Sequence, residues 1–228
     1  VSFLFDEVGL RPGQLVLDAG CGPGRHSRAL AARGVRVVGI DIADRFLDLA
    51  RSAPTPAGPA PSGAEPATRF VRADIVRPPF RHGAFDAVLC FCQSGFGLLG
   101  GGADEQDAFA ALVGGLRPGG TLALTAFSAF YALRWLQEGD SFDPETGVHV
   151  EHATVKSESG AEERTYELAT TCFTPRELRL MSEASGLRVE GIWSVEPGRW
   201  ARRGPVVDMP EWLLVAHKPG DTLDFPHV

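Results

Sequence analysis

The feature that most constrains the fold is a short apolar run followed by three closely spaced glycines. Residues 15–19 read LVLDA, and Gly20, Gly22 and Gly24 follow before a helical pattern begins at Arg25. A strand, a glycine-rich turn and a helix in this order are typical of nucleotide-binding α/β folds, in which the helix N-terminus faces the ligand. The sequence therefore predicts a ligand-binding turn at the edge of a parallel sheet.

An aspartate next to these glycines limits which ligand the turn can hold. Asp18 stands at the end of the predicted strand, where its negative charge would lie beside a bound pyrophosphate. A strict GxGxxG pattern is not formed either, since the sixth position counted from Gly20 is Arg25. Both observations disfavour an NAD-dependent dehydrogenase and favour a nucleoside ligand without a phosphate.

The rest of the chain alternates predicted strands with predicted helices. Strands are predicted at 15–19, 35–41, 68–74, 85–92, 121–127, 187–195 and 210–218, helices at 25–34, 43–52, 104–116 and 175–186, and an RPGG turn at 117–120. This alternation predicts a single α/β domain over 1–228 with a Rossmann-like, doubly wound, mostly parallel sheet of seven strands. Ligands of such sheets bind outside the carboxyl ends of the strands.

Two segments depart from this alternation. Residues 52–68 are rich in proline, alanine and glycine and have no hydrophobic pattern, which predicts a flexible surface loop. Residues 128–173 are too long for a simple connection after the fifth strand and contain stretches that alternate like antiparallel strands. We interpret this second segment as an antiparallel, strand-rich insertion that lies over the carboxyl ends of the sheet as a substrate lid.

Three aspartates fall at the ends of the first three predicted strands. Asp18, Asp41 and Asp74 should therefore lie at the same edge of the sheet. A carboxylate after the second strand can accept hydrogen bonds from both hydroxyls of a ribose, and one after the third can accept from an adenine amine. Asp18 then suits a cationic group better than a phosphate. S-adenosylmethionine, with an ammonium group beside a sulfonium, has this shape and charge.

These residues carry a resemblance to class I S-adenosylmethionine-dependent methyltransferases over nearly the whole chain. VLDAGCGPGRHS at 16–27 resembles their first motif, VVGIDIA at 37–43 the acidic second-strand motif, and RAD at 72–74 the adenine-contacting segment. FDAVLCFCQSGFG at 85–97 and TLALTAF at 121–127 are similar to their fourth and fifth strands. Within the class, the chain is similar to small-molecule methyltransferases, whose fourth strand ends in a segment like QSGFG at 93–97. The resemblance thus implies methyl transfer to a nitrogen, oxygen or carbon acceptor, with S-adenosylhomocysteine as product.

The resemblance also implies roles at the cofactor. The glycines let the backbone approach it, Asp18 helps hold its amino-acid end, and Asp41 holds the ribose. Ile42 covers the adenine and Asp74 accepts from its amine. The implied cofactor-binding residues are Asp18, Gly20, Gly22, Gly24, Asp41, Ile42, Asp74, Ile75, Cys92 and Gln93, of which the last two flank the methionine portion. Ala43 departs from the family, which usually has a serine there.

The residues expected to contact the methyl acceptor follow the fourth strand or lie in the insertion. They are Phe96, Tyr131, Arg134, Trp135, His149 and His152. Tyr131 and Trp135 lie one helical turn apart, a spacing that suits core packing as well as substrate stacking. Arg134 has two possible partners, a substrate carboxylate or Glu138.

The two histidines cannot both face the acceptor. His149 and His152 are three residues apart on a predicted strand, so they point to opposite sides. An imidazole can accept a proton near neutral pH, which suits a hydroxyl acceptor. We expect His152 and Tyr131 as the catalytic residues, with an exposed surface position as the default alternative for either histidine.

Composition and charge limit which binding partners and which cellular compartment the sequence favours. The net charge of −7 disfavours a nucleic-acid partner, and no apolar run approaches the roughly 20 residues of a membrane span. The four cysteines form no CxxC pair and no ligand cluster with histidine, so we expect buried thiols in a cytoplasmic protein and no metal site. We expect a monomer or a homodimer. Because the chain begins with Val1, we expect upstream residues to be missing. A macromolecular acceptor and a non-catalytic cofactor binder stay open as alternatives.

Overall fold

Five parallel strands form the centre of the sheet. In this computed structural model, which describes Phe5 and residues 8–54, 68–91, 95–100, 103–156, 163–196, 198 and 200–220, they are β1 (Leu15–Ala19), β2 (Arg36–Asp41), β3 (Thr68–Arg72), β4 (Phe85–Cys90) and β5 (Leu116–Ser128). β1 pairs in parallel with both β2 and β4, so the order β3-β2-β1-β4-β5 reverses at β1. This reversal confirms the doubly wound arrangement and leaves a crevice at the carboxyl ends of the central strands.

Three helices connect these strands. They are α1 (Arg25–Ala31), α2 (Asp44–Ser52) and α3 (Ala103–Gly115). α1 is shorter than the predicted 25–34, because the chain leaves the helix early and turns through Gly34 at a φ of +83°. The predicted turn at 117–120 instead forms a bulge inside β5, since Leu116 and Thr121 pair with β4 residues only two positions apart.

The 128–173 segment forms a helix and an antiparallel set of strands. It contains α4 (Ala129–Arg134), β6 (Ser141–Asp143), β7 (Val148–Lys156) and β8 (Glu163–Phe173). β7 pairs antiparallel with both β6 and β8. β8 joins the main sheet through two parallel pairs with β5, Phe127 with Cys172 and Ser128 with Phe173. The insertion is therefore continuous with the central sheet.

A helix and two strands complete the fold. α5 (Pro175–Ala184) begins with the predicted capping box, in which the Thr174 amide donates to Glu177 at 2.6 Å and the Glu177 amide donates to the Thr174 hydroxyl at 3.2 Å. β10 (Glu211–His217) runs antiparallel to β5 and to β9 (Arg188–Val195) and lies between them. The mostly parallel Rossmann-like sheet is thus confirmed. The insertion extends it from the seven predicted strands to ten among the described residues.

Apolar side chains cover both faces of the central sheet. Val16 and Leu17 are neighbours on β1 and are both fully buried. Leu17 packs in a cluster with Phe109 of α3, whereas Val16 packs in a cluster with Leu30 of α1. Helices on both faces explain why this strand reads as a continuous apolar run rather than an alternating one.

A buried glutamate ties the segment after β4 to α3 and to β8. Glu105 is 2% exposed and accepts hydrogen bonds from the amides of Gly97 at 2.9 Å and Leu99 at 3.1 Å. It also accepts one from the Thr171 hydroxyl at 2.9 Å, and the Thr171 amide donates to the Gly97 carbonyl at 2.7 Å. Three donors compensate the burial of one carboxylate. Glu105 therefore holds residues 95–100 against the insertion.

Replacing Glu105 with glutamine is expected to lower the free energy of unfolding by about 2–4 kcal/mol, because the new amide leaves a buried donor unpaired. Urea unfolding followed by circular dichroism measures this change. Asp104 precedes it on the same helix and is exposed, so Asp104→Asn is the matched control, expected to stay within about 0.5 kcal/mol of wild type. Equal stability of the two variants would contradict the role of Glu105.

Candidate functional site

A cavity opens at the carboxyl ends of β1, β2 and β3, where the strand order places a crevice. It encloses about 520 Å³, a volume typical of small-molecule sites. The glycine turn, the β2–α2 connection, the residues after β3 and part of the 95–100 segment line it. We call this space cavity 1, defined by Gly22, Asp41, Ile42, Asp74, Ile75 and Leu98.

Asp41 joins two of the loops around cavity 1. One of its carboxylate oxygens accepts from the Gly22 amide at 2.8 Å, and the other accepts from the Ala43 amide at 2.8 Å. Each carboxylate oxygen has two lone pairs, so one on each oxygen is left for a ligand. Because the side chain lines the cavity, it offers two neighbouring acceptors to two neighbouring hydroxyls, the arrangement that a ribose requires.

The glycines of the turn are required by both backbone conformation and space. Gly20, Gly22 and Gly24 have φ values of +66°, +52° and +74°, a region that side chains rarely allow. A Cβ on Gly22 would meet nothing within 4 Å, so a side chain there would occupy cavity space. A Cβ on Gly24 would lie 2.7 Å from the Phe70 ring of β3. Gly22 therefore keeps cavity 1 open, and Gly24 lets the turn approach β3.

The structure places Asp18 inside the fold. It is 2% exposed, and its carboxylate accepts the Ser27 hydroxyl at 2.5 Å. Burial raises the pKa of Asp18 from 3.8 to about 6, against the lowering effect of its hydrogen bonds from Ser27. The carboxylate thus holds the first turn of α1 against β1 and is not among the residues that line cavity 1. Its contact with the amino-acid end of the cofactor stays a prediction.

Three of the other expected cofactor residues meet on the wall of cavity 1. Ile42 is 65% exposed and presents a large apolar surface to the cavity. Asp74 accepts the Val76 amide at 2.9 Å through one oxygen and has a second oxygen for a ligand donor. Ile75 is buried and belongs both to the core and to the cavity wall.

Phe46 and His26 also line cavity 1, and neither is among the cofactor-binding residues expected from the sequence. Phe46 lies in the first turn of α2 and is exposed despite its size. The amphipathic pattern of that helix is the sequence signal that could have identified it. His26 packs edge-on against Phe91, with ring centroids 6.0 Å apart. Burial, with the nearby charge of Arg25, lowers the pKa of His26, which favours the neutral imidazole.

The chemistry of cavity 1 fits an adenosine-containing cofactor. Asp41 offers acceptors for ribose hydroxyls, Ile42 and Phe46 offer apolar surface for a base, and Asp74 offers an acceptor for an exocyclic amine. S-adenosylmethionine satisfies each of these features without placing a phosphate beside the acids. Cys92 and Gln93, expected at its methionine portion, lie outside the described residues.

A second cavity of about 420 Å³ adjoins the first. It lies among β5, α4 and the insertion strands, and we call it cavity 2, defined by Ser128, Tyr131, Trp135, Asp140, His149 and Glu151. Leu98 lines both cavities, so the two spaces share part of a wall.

The structure brings His149, and not His152, to cavity 2. The His149 side chain is 14% exposed, and its buried Nε2 has no hydrogen-bond partner and lies 3.4 Å from Asp140 Oδ2. The His152 side chain is 52% exposed, and its Nε2 lies 4.0 Å from Oε2 of Glu167, the residue opposite it on β8. Residues three apart on a strand point to opposite sides, and the register of β7 decides which one faces the cavity. His152 is thus not among the residues that line cavity 2, and its role as a base stays a prediction.

The remaining insertion residues divide between the cavity and the surface. Tyr131 and Trp135 both line cavity 2, with ring centroids 6.3 Å apart. Arg134 lies between them in sequence, but its guanidinium pairs with Asp208 at 2.8 Å. Its partner is therefore not Glu138, one of the two that the sequence had suggested, and a contact with a substrate carboxylate stays a prediction.

Phe96 belongs to the core rather than to a cavity wall. It is 1% exposed, stacks on Phe173 with centroids 5.0 Å apart and lies 6.0 Å from the Phe109 ring. These contacts leave no surface for an acceptor. The Phe96 side chain instead anchors the segment 95–100, in which Leu98 lines both cavities.

Metal and membrane sites can be assessed over the part of the chain that the structure describes. Within it, no group of three or more histidine, cysteine or acidic residues is arranged to hold a metal ion. No helix in the same ranges combines the length and the apolar character needed to cross a bilayer.

Known proteins share this domain. Residues 16–120 match the family model of a methyltransferase domain. The malonyl-[acyl-carrier protein] O-methyltransferase of Serratia marcescens is 32% identical over 118 residues, which cover 52% of this chain and 40% of that protein. The chain spans about 40% of the length of the first curated relatives that it matches.

Two solved structures show the same fold over nearly the whole chain. The CcbJ methyltransferase of Streptomyces caelestis superposes with a TM-score of 0.75 at 22% identity, covering 96% of this chain and 88% of that one. The 1,6-didemethyltoxoflavin-N1-methyltransferase of Burkholderia thailandensis, with 1,6-didemethyltoxoflavin and S-adenosylhomocysteine bound, gives 0.55 at 20% identity, covering 96% and 76%. At these identities the likeness concerns the fold. Residues 16–120 are therefore a methyltransferase domain, the chain has the fold of S-adenosylmethionine-dependent methyltransferases, and the chemistry of cavity 1 fits S-adenosylmethionine as the cofactor.

Proposed function

We propose that this protein transfers a methyl group from S-adenosylmethionine in cavity 1 to a small molecule in cavity 2. The proposal rests on one observation, that Leu98 lines both cavities. Glu105 accepts hydrogen bonds from the amides on either side of Leu98, those of Gly97 and Leu99, so the shared wall is held in place. Methyl transfer requires the donor and the acceptor to lie in contact, and two cavities that meet at Leu98 place the two ligands next to each other.

Cavity 1 supplies binding and orientation. When bound, S-adenosylmethionine supplies a methyl group on a sulfonium that needs no further activation. Asp41 would accept the ribose hydroxyls through the lone pairs that its two backbone contacts leave free. Ile42 and Phe46 would cover the base and exclude water from it. Much of the acceleration of such a reaction can come from holding the two reactants in line.

Cavity 2 supplies the acceptor site and a base. Its volume suits a small molecule, and Tyr131 and Trp135 offer aromatic surface to it. His149 Nε2 has no hydrogen-bond partner, so it is free to take a proton from an acceptor that must lose one. Asp140, 3.4 Å away, would stabilise the imidazolium that results. We assign to His149 the role that the sequence had suggested for His152.

The ligand bound in a structure of the same fold supports a small-molecule acceptor. The Burkholderia thailandensis structure holds 1,6-didemethyltoxoflavin together with S-adenosylhomocysteine, a small molecule beside the spent cofactor. Cavity 2, at about 420 Å³, has room for a molecule of that kind. A cytoplasmic location and a monomeric or homodimeric state stay predictions.

Incubation with methyl-labelled S-adenosylmethionine and a cell extract separated by size tests the proposal. We expect label in the low-molecular-weight fraction, because cavity 2, at about 420 Å³, has the size of a small-molecule site, and we expect loss of that label in Trp135→Ala. Incorporation only into protein or nucleic acid would contradict a small-molecule acceptor. Release of labelled product in neither fraction would contradict methyl transfer itself.

Asp41→Asn is expected to weaken S-adenosylhomocysteine binding by about tenfold or more, since a charge-assisted hydrogen bond contributes about 1.5–3 kcal/mol. Calorimetry on the folded variant measures the dissociation constant. Asp44→Asn removes a carboxylate three residues later that pairs with Arg72 at 3.1 Å on the surface, so it is the matched control. An unchanged affinity in Asp41→Asn would show that the ribose is held elsewhere.

For an acceptor that loses a proton, His149→Gln is expected to lower kcat by about 100-fold, the usual size of a general-base contribution. The acceptor found by the labelling experiment serves as substrate. His152→Gln, on the same strand but facing away, should stay within about twofold of wild type. Both variants should keep their affinity for S-adenosylhomocysteine. A larger effect of His152→Gln than of His149→Gln would overturn the assignment.

A further inference from the structure

The wall of cavity 2 carries negative charge without a compensating cation. Asp140 and Glu151 line it, and none of its described lining residues is a lysine or an arginine. The nearest arginine along α4, Arg134, is engaged on the surface by Asp208 at 2.8 Å. A ligand that enters this space therefore meets carboxylates, and a ligand that carries its own positive charge is favoured.

We propose that the methyl acceptor is a small aliphatic amine that binds in cavity 2 as its ammonium cation, held between Asp140 and Glu151. This inference rests on the function proposed above and names the chemical class of its acceptor. The two carboxylates reach the cavity from different elements, Asp140 from the turn after α4 and Glu151 from β7.

Both carboxylates have capacity left for such a ligand. Asp140 Oδ2 accepts the Gln137 amide at 3.1 Å, a single neutral donor for a side chain that is 13% exposed. Burial and the nearby charge of Glu151 raise the pKa of Cys172 to about 12, so this lining thiol stays neutral. The negative charge of the wall therefore resides on the two carboxylates.

The aromatic residues of the cavity suit the same ligand. Tyr131 and Trp135 present two tilted rings, 49° between their planes, beside the carboxylates. The face of an aromatic ring attracts a cation, and its surface packs against an alkyl chain. The Trp135 ring already has the Arg134 guanidinium 6.0 Å from its centroid, so Tyr131 is the ring that we assign to the ligand cation.

An ammonium ion must lose a proton before its nitrogen can act as a nucleophile. His149 Nε2 is the unpaired acceptor on this wall, with Asp140 beside it to stabilise the imidazolium. The bond that then forms is nitrogen–carbon and the bond that breaks is carbon–sulfur, whose electron pair stays on sulfur. The proton leaves from His149 to solvent, so charge and atoms balance.

Calorimetry with two probes of equal size tests the inference without turnover. 2-Phenylethylamine is the cation and 2-phenylethanol is its neutral counterpart, each titrated at pH 7 into the full chain saturated with S-adenosylhomocysteine. We expect the amine to bind at least about tenfold more tightly than the alcohol, as one charge-assisted contact provides. Glu151→Gln and Asp140→Asn should each reduce this preference by about fivefold, and neither should change the affinity for S-adenosylhomocysteine.

Glu167→Gln is the matched control, because Glu167 lies on the same hairpin, is 68% exposed and contacts His152 on the opposite face. Its preference for the amine should equal that of wild type. Equal binding of amine and alcohol, no binding of the amine, or a preference that survives both cavity substitutions would overturn the inference. Failure of S-adenosylhomocysteine to bind would instead count against the proposed function, so the two can fail separately.

Discussion

The parallel pairing of β1 with both β2 and β4 is the constraint on which the rest of the structure depends. The helices that follow these strands pack on opposite faces, α1 on one and α3 on the other, so neither connection covers the strand ends between them. The glycine turn after β1 and the acid at the end of β2 meet in this gap, where Asp41 accepts the Gly22 amide. The strand order thus creates cavity 1, and the side chains that line it determine which ligand it can bind.

Cavity 2 depends on a second, polar constraint. Glu105 accepts the amides on both sides of Leu98 and the hydroxyl of Thr171, and so joins the wall between the cavities to the insertion strand β8. A buried carboxylate requires hydrogen-bond donors, so Glu105 can be accommodated only where these three donors lie in the right positions around it. The position of the acceptor site relative to the cofactor site therefore depends on one side chain that contacts neither ligand in the proposed arrangement.

Much of the fold was predictable because its signals are local. The capping box of Thr174 and Glu177 involves residues three apart, and the glycine turn contains its own conformational requirement. The bulge at 117–120 and the join between β8 and β5 were not predictable, since both depend on pairing with residues distant in the sequence. For the same reason, Phe96 could not be recognised as a core residue, because the ring that it stacks on, Phe173 of β8, is distant in the sequence.

The sequence by itself determined the chemical character of cavity 1, because Gly22, Asp41 and Asp74 follow strands whose ends meet at one edge in any parallel sheet. Only the tertiary structure decided where individual side chains point. Asp18 turned out to bond Ser27 inside the fold, and His149 rather than His152 faces cavity 2. The physical reason is strand register. A shift of one residue in the pairing moves every side chain of the strand to the opposite face of the sheet, and contacts with the partner strands determine that register.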